Sequence, residues 1–201
     1  MSKGILTVIS GPSGTGKGTI VNELLKDENT EISISCTTRA PRGQEVDGVN
    51  YFFKSQEEFE EMIKNNEFLE HAQVFGKYYG TPKEYVLKKL DAGKNVILEI
   101  DVQGAMQIKE NFPKATLVFI APPSLKVLYD RLAGRGTETK ELVNKRFSMA
   151  KSELKFADKY DYVVINDDLQ TAVKDVKCIF KAGKLASRSN EIINKLLDEE
   201  V

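Results

Sequence analysis

The chain has little of what several large protein classes require. Its one histidine, His71, rules out a histidine-built metal cluster. Its two cysteines, Cys36 and Cys178, form no C-x-x-C pair and suggest neither a disulfide framework nor a zinc site. No apolar run approaches the roughly 20 residues of a membrane-spanning helix. With 29 Lys and Arg against 30 Asp and Glu there is no basic excess, so binding of nucleic acid by bulk electrostatics is not favoured. Repeats and low-complexity linkers are missing. Only three residues precede the first strand-like run, which leaves no room for a cleavable signal sequence. The expectation is a soluble protein of a reducing cytoplasm. Its 201 residues, 41% hydrophobic and 29% charged, are enough for one well-buried core carrying small inserts.

What is present begins with Gly11-Pro12-Ser13-Gly14-Thr15-Gly16-Lys17-Gly18-Thr19. An apolar run, residues 4–10, precedes it, β-branched in its second half as in a strand buried on both faces. Ile20, Val21, Leu24 and Leu25 follow at helical spacing, so the glycine-rich stretch is a strand-to-helix turn. In that context G-x-x-x-x-G-K predicts a phosphate-binding loop: glycines let backbone N–H groups turn inward, the helix N-terminus adds its dipole, and Lys17 adds a charge. The hydroxyl that usually follows the lysine comes one residue late, at Thr19, because Gly18 intervenes. Either Thr19 reaches Mg²⁺ or the metal is held largely through water.

Further strand–helix pairs are predicted at 95–100 with 102–110 and at 115–121 with 124–133. A last strand at 162–165 precedes a helical tail. This alternation argues a three-layer α/β fold with a parallel sheet. In the tail, Leu169, Val173, Val176 and Phe180 form one apolar stripe and Ile192, Ile193, Leu196 and Leu197 another, with Gly183 expected to separate two helices. Residues 33–82 interrupt the alternation. They read as a small, mostly antiparallel module with short strands at 50–53 and 70–75 around a helix at 55–65, turned by Gly76, Gly80 and Pro82. Residues 134–147 read as a second insertion. The segment 126–146 holds six basic residues (Lys126, Arg131, Arg135, Lys140, Lys145, Arg146) against three acidic ones (Asp130, Glu138, Glu141), a local excess of +3. That excess suits either a solvated helical face or, with glycines flanking Arg135, a mobile lid over phosphates.

Two polar constellations stand out. In Ser35-Cys36-Thr37-Thr38-Arg39-Ala40-Pro41-Arg42-Gly43-Gln44-Glu45, two arginines three apart can grip a second phosphate group. Val96-Ile97-Leu98-Glu99-Ile100-Asp101 is an apolar strand ending in two alternating acids, where ligands bind in parallel sheets. These carboxylates could hold the waters of Mg²⁺ or accept a ligand's hydrogen bonds; the plainer role for Asp101 is to cap the helix after it. His71 and Cys36 are expected to pack or to be exposed, without a catalytic role.

With Gly76-Lys77-Tyr78-Tyr79-Gly80, Glu99-Ile100-Asp101-Val102-Gln103-Gly104, Gly134-Arg135-Gly136-Thr137 and Asn166-Asp167-Asp168 added in this order, the sequence resembles the guanylate kinases. The likeness runs from about Gly4 to Gly183. It implies a P-loop kinase fold over residues 4–184, with a core of 1–32, 83–133 and 148–201, a GMP-binding insert at 33–82 and a lid at 134–147. It implies an enzyme that phosphorylates GMP, and with it dGMP, using ATP and Mg²⁺. Under the resemblance, Gly11, Pro12, Ser13, Gly14, Thr15, Gly16, Lys17, Gly18 and Thr19 hold ATP phosphates, and Arg131, Arg135 and Arg146 reach them as the lid closes. Asn166 lies near the adenine. Ser35, Glu70 and Thr81 read guanine, while Arg39, Arg42, Tyr51 and Tyr79 hold the GMP phosphate. Glu45 anchors the arginine loop, and Asp101, with Glu99 close by, lies against the acceptor. The implied catalytic groups are Lys17, Arg39, Arg135 and Arg146, and the implied partners are ATP and GMP, without nucleic acid or membrane. These motifs do not determine the oligomeric state.

Elementary chemistry agrees with these implied roles. Guanine presents N1–H and a 2-amino group together, and one carboxylate can accept from both, whereas adenine would leave that carboxylate unpaired. A non-catalytic scaffold of the same family would be expected to lose the ATP loop, and Lys17 is present. The Lys17-Gly18-Thr19 ending also resembles adenylate kinases, but the Ser35-to-Glu45 segment and Glu70 argue for guanine.

Overall fold

The first apolar run is β1, Leu6–Ser10, with all five residues buried. In this computed structural model, which describes residues 3–74, 76–134 and 139–197, β1 is the centre of a parallel sheet. Its neighbours are β2 (Thr30–Ile32), β7 (Asn95–Glu99), β8 (Thr116–Ala121) and β9 (Tyr162–Ile165), in the order β2-β7-β1-β8-β9. All four pairings are parallel, with Val8 opposite Leu98 on one side and Leu117 on the other.

Alternate residues of these strands serve two cores. Leu6, Val8, Val96, Leu98, Leu117 and Phe119 face one side, packing with Val86 and Leu90 of α3 (Lys83–Asp91) and Val102, Ala105 and Ile108 of α4 (Val102–Asn111). Ile9, Ile97, Val118 and Ile120 face the other, packing with Ile20, Val21 and Leu24 of α1 (Lys17–Leu24) and Val173, Val176 and Phe180 of α7 (Leu169–Leu197). A sheet covered on both faces explains why β1 reads as an unbroken apolar run. A third helical unit, α5 (Leu125–Ala133) with α6 (Lys140–Leu154), packs on its own through Leu128, Leu132, Val143 and Ala150.

The interrupting module is a four-stranded sheet of β3 (Cys36–Thr37), β4 (Phe52–Phe53), β5 (Phe68–Val74) and β6 (Lys77–Pro82), ordered β4-β3-β6-β5. The β3–β6 and β5–β6 pairs are antiparallel and β3–β4 is parallel. The expected helix is α2, Gln56–Lys64, closed at its start by a reciprocal capping box between Ser55 and Glu58. Phe59 stacks on Phe68 at 4.4 Å and on Tyr78 at 5.2 Å, and these rings with Cys36 make the module's small core.

Two glycine readings are corrected. Gly183 does not divide the tail: α7 runs unbroken from Leu169 to Leu197, and a side chain at 183 would meet Ile5 in ordinary contact, 3.4 Å from its Cδ1. Gly80 and Pro82 are not turn residues but lie inside β6, where a Cβ on Gly80 would come within 2.9 Å of Phe68 and 3.0 Å of Phe59. Only Gly76 turns the chain there, at φ 74°. Besides β6, whose residues read as turns, four elements carried no expectation: β2, β3, α3 and α6, the last running through position 147 without a break. Of the second tail stripe, Ile192, Ile193, Leu196 and Leu197 fall on the last turns of α7, and their side chains lie outside the described set. Phe75 and residues 135–138, including Arg135, also lie outside the described residues.

Candidate active site

The loop after β1 is folded by glycines at positive φ, Gly11 at 135°, Gly14 at 88° and Gly16 at 85°. Gly16 is the N-cap of α1 in the left-handed region, which L side chains adopt only under strain. Side chains close the N-termini of α2, α4, α5 and α6, from Ser55, Asp101, Ser124 and Thr139, whereas α1 and α3 have no side-chain cap. The first turn of α1, with Lys17, Gly18 and Thr19, lies on the wall of the cleft, where uncapped N–H groups can receive an anion. Thr15 closes the loop on itself, its hydroxyl donating to Pro12 O at 2.9 Å, and the Lys17 ammonium donates to the carbonyls of Gly11 and Pro12.

Asn166, at the end of β9, is buried beneath this loop, its amide donating to Thr15 O at 2.7 Å. A Cβ on Gly16 would lie 2.4 Å from that amide nitrogen, so position 16 must be glycine for space as well as for φ. Arg131 in turn donates to the Asn166 carbonyl at 3.0 Å. Both residues stand behind the loop as supports.

The loop opens onto a cleft of about 820 Å³ walled by Gly11–Gly14, Gly16–Thr19, Ser35, Tyr51 and the Glu99–Asp101 segment. A second lobe of about 270 Å³ shares Ser35, Tyr51 and the Glu99–Asp101 segment and adds Glu70 and Tyr79. The two lobes therefore meet at a waist of acids. Asp101 spends one oxygen, Oδ1, on capping α4 through Gln103 N at 2.9 Å and Gly104 N at 2.8 Å, so its capping role and its place in the cleft coexist. Crowding by protein pushes the Glu99 carboxyl upward, opposed by the charge of Lys17. Glu153, in the last turn of α6, lines the same cleft under the same two influences, with Asp101 adding a further upward push. Sequence reasoning missed it. An acid at a helix C-terminus, against the dipole, was the available signal.

In the second lobe Glu70 is buried, and its Oε1 accepts from the Thr81 hydroxyl at 2.6 Å. Burial pushes this carboxyl above its ordinary range; the Thr81 contact opposes the shift and Asp101 adds to it. Thr81 thus stands behind Glu70 rather than on the lobe's wall. His71 faces away from Glu70 and is partly buried, and burial pushes the Cys36 thiol up to about 11.

Arg39 makes a bidentate pair with Glu45, both contacts at 2.9 Å, and lies 5.3 Å from the Tyr51 ring centroid and 6.0 Å from that of Phe53. The Glu45 carboxyl is held below its usual range, first by Arg39 and then by the Arg42 N–H at 2.8 Å. Thr37 and Thr38, to which no role was assigned, fasten this loop to β6: Thr37 Oγ1 donates to Tyr78 O at 2.9 Å and Tyr78 N to Thr38 Oγ1 at 3.0 Å. The Arg42 side chain is exposed, and Arg146 is partly buried on α6; neither belongs to the described walls of the cleft.

The oxygen donors facing the cleft are dispersed. Among the described residues no group of three or more His, Cys, Asp or Glu could hold a metal ion. That donor set fits Mg²⁺ carried on nucleotide phosphates and keeping its waters, not a protein cage.

Comparison with known proteins agrees with this architecture. The family model described as guanylate kinase matches residues 3–183. A guanylate kinase of Caldanaerobacter subterraneus is 52% identical over 99% of this chain and 98% of its own length. One of Halalkalibacterium halodurans is 55% identical over 90% and 89%. The crystal structure of guanylate kinase from Anaplasma phagocytophilum superposes with a TM-score of 0.70 at 34% identity, covering 91% of this chain and 87% of that one. A phosphate loop and a buried-carboxylate lobe joined at one acidic waist, on a chain matched along almost its whole length, make this protein a member of the guanylate kinase family.

Proposed function

We propose that the chain catalyses ATP + GMP → ADP + GDP, with dGMP as a second acceptor, as a cytoplasmic step of purine nucleotide metabolism and GMP recycling. The observation that carries this reading is the two-lobed cleft, whose shared waist brings a phosphate loop and a buried carboxylate into one cavity. ATP phosphates lie on the loop from Gly11 to Thr19, with Lys17 as the charge nearest the transferred group. Glu70 accepts from guanine N1–H and the 2-amino group, the Ser35 hydroxyl completes the base edge, and Thr81 serves the base by holding Glu70 from behind. Arg39, Arg42, Tyr51 and Tyr79 hold the acceptor phosphate.

The nucleophile is a phosphate oxygen of GMP, already anionic, so no general base is required. It attacks the γ-phosphorus in line, the bond to the β–γ bridging oxygen breaks, and that electron pair leaves on ADP. Lys17, Arg39, Arg135 and Arg146 neutralise the charge that spreads over the transferred oxygens. Thr19, directly or through water, with Glu99 and Asp101 through water, would hold Mg²⁺, which would supply further neutralisation of phosphate charge. Closure of the 33–82 and 134–147 segments excludes water, which would otherwise waste ATP.

The test is ADP release from ATP–Mg²⁺ with GMP, dGMP, AMP, dTMP or UMP, beside a control without acceptor. Strong release with GMP and dGMP is expected. Preference for AMP refutes the base reading, equal release without acceptor indicates an ATPase, and GMP binding without release indicates a scaffold.

A further inference from the structure

β5 is an edge strand, and Leu69 and His71, on either side of Glu70, turn backbone groups away from the sheet. Such an edge ordinarily meets water or another strand. Here it meets two amide side chains of α4. The Gln107 amide forms a reciprocal pair with His71, accepting from its N–H at 3.1 Å and donating to its carbonyl at 3.0 Å. One turn on, Asn111 Nδ2 donates to Leu69 O at 2.8 Å. The same face of α4 carries Gly104, where a Cβ would lie 3.0 Å from Glu70 Oε2, and begins at Asp101, the acid of the waist.

We infer that Gln107 and Asn111 are specificity-positioning residues: by serving as the missing strand along β5, they set Glu70 at a defined place relative to Asp101 and so let it discriminate the guanine base. The inference rests on the reading of Glu70 as the guanine-contacting carboxylate. Its content is that the depth of the base is referenced to a core helix, while the Arg39–Glu45 pair sits on a loop at the opposite side of the same module. A carboxylate accepting two hydrogen bonds at once tolerates little displacement, because a shift that keeps one contact lengthens the other. A purine lacking the 2-amino group has only one contact to lose.

The experiment compares GMP with inosine monophosphate, which keeps O6 and N1–H but has no 2-amino group. Steady-state kinetics and thermal midpoints are measured for the parent chain, Gln107→Leu with Asn111→Leu, Gln107→Glu, Glu70→Gln and a core control, Phe180→Leu. The double variant should raise KM for GMP about tenfold with kcat and KM for ATP nearly unchanged, so that the GMP-to-IMP ratio of kcat/KM falls by about that factor. Gln107→Glu keeps the acceptor for the His71 N–H but sets a charged oxygen against the His71 carbonyl in place of the donor, and should move the ratio in the same direction by about threefold. Phe180→Leu should lower the midpoint and leave the ratio alone. If both α4 variants lower the midpoint yet preserve the ratio, the two amides are structural only and the inference is overturned. If Glu70→Gln also preserves it, the reading of Glu70 beneath the inference is what fails.

Discussion

The two lobes of the cleft are built by opposite means. The larger lobe, proposed to take the donor phosphates, is floored by backbone from one continuous stretch, Gly11–Thr19, whose shape comes from glycine φ angles and the start of α1, and it shares Ser35, Tyr51 and the Glu99–Asp101 segment with the other lobe. The smaller lobe, proposed to take the acceptor, is made of side chains from separate strands, with Glu70 held by Thr81 and its strand fastened by Gln107 and Asn111, 36 and 42 positions from their partners. A change in the first lobe therefore acts on the shape of a surface, and a change in the second on the position of one charge. One contact spoils the contrast: the Asn166 amide reaches Thr15 O across 151 positions, so even the local lobe has a distant support.

Four measurements press on this difference. The largest effect is expected from Lys17→Met, which should cut kcat about 10³-fold while GMP still binds, as seen by calorimetric titration beside steady-state rates. Near-normal turnover would mean that the loop's charge is dispensable. Gly16→Ala comes next. It places a side chain at φ 85° and 2.4 Å from the Asn166 amide, and should cost about 2–3 kcal/mol in denaturant melts. A loss under about 0.5 kcal/mol would show that the distant support is slack.

A smaller effect concerns pH. The native Glu70 carboxyl titrates above its ordinary range, so the folded state binds more protons than the unfolded one between the two values. Stability contributed by this group is thus highest at low pH and falls as pH rises through the raised native value. Glu70→Gln removes that slope, and its melting temperature should climb relative to the parent over the same rise. A flat difference would mean that the carboxylate is better solvated than its burial implies. The slightest perturbation is chemical labelling: near neutral pH iodoacetamide should modify exposed Cys178 and spare Cys36, whose thiol is buried and pushed up to about 11. Labelling of Cys36 in the native protein would reveal opening of the acceptor module.

What could be read from the sequence follows the same division. The glycine loop, the parallel strands, the helix that carries Ile20, Val21 and Leu24, and the helices at 102–110 and 124–133 were legible because each depends on neighbours in the chain. The acceptor lobe became legible only through the family resemblance, since nothing local tells Glu70 from Glu67. Gly80 and Gly183 were misread for a related reason. A glycine demanded by space, as at 80 where Phe59 and Phe68 fill it, or one merely carried within a helix, as at 183, looks in sequence like one demanded by a turn. β2, with three residues, is too short to show a period, and the basic excess over 126–146 drew attention from the apolar face of α6 that meets α5.

The support from Asn166 also has a consequence in time. The residues it steadies, 11–19, leave a ribosome well ahead of Asn166, which stands 151 positions after Thr15 and directly follows β9. A growing chain can form β1 and the glycine turn long before anything stands beneath them. The glycine loop is thus synthesised well before it is completed. A nascent chain halted short of Asn166 would carry the motif without its buried brace, so the loop should gain its full support only once β9 and Asn166 have joined the sheet.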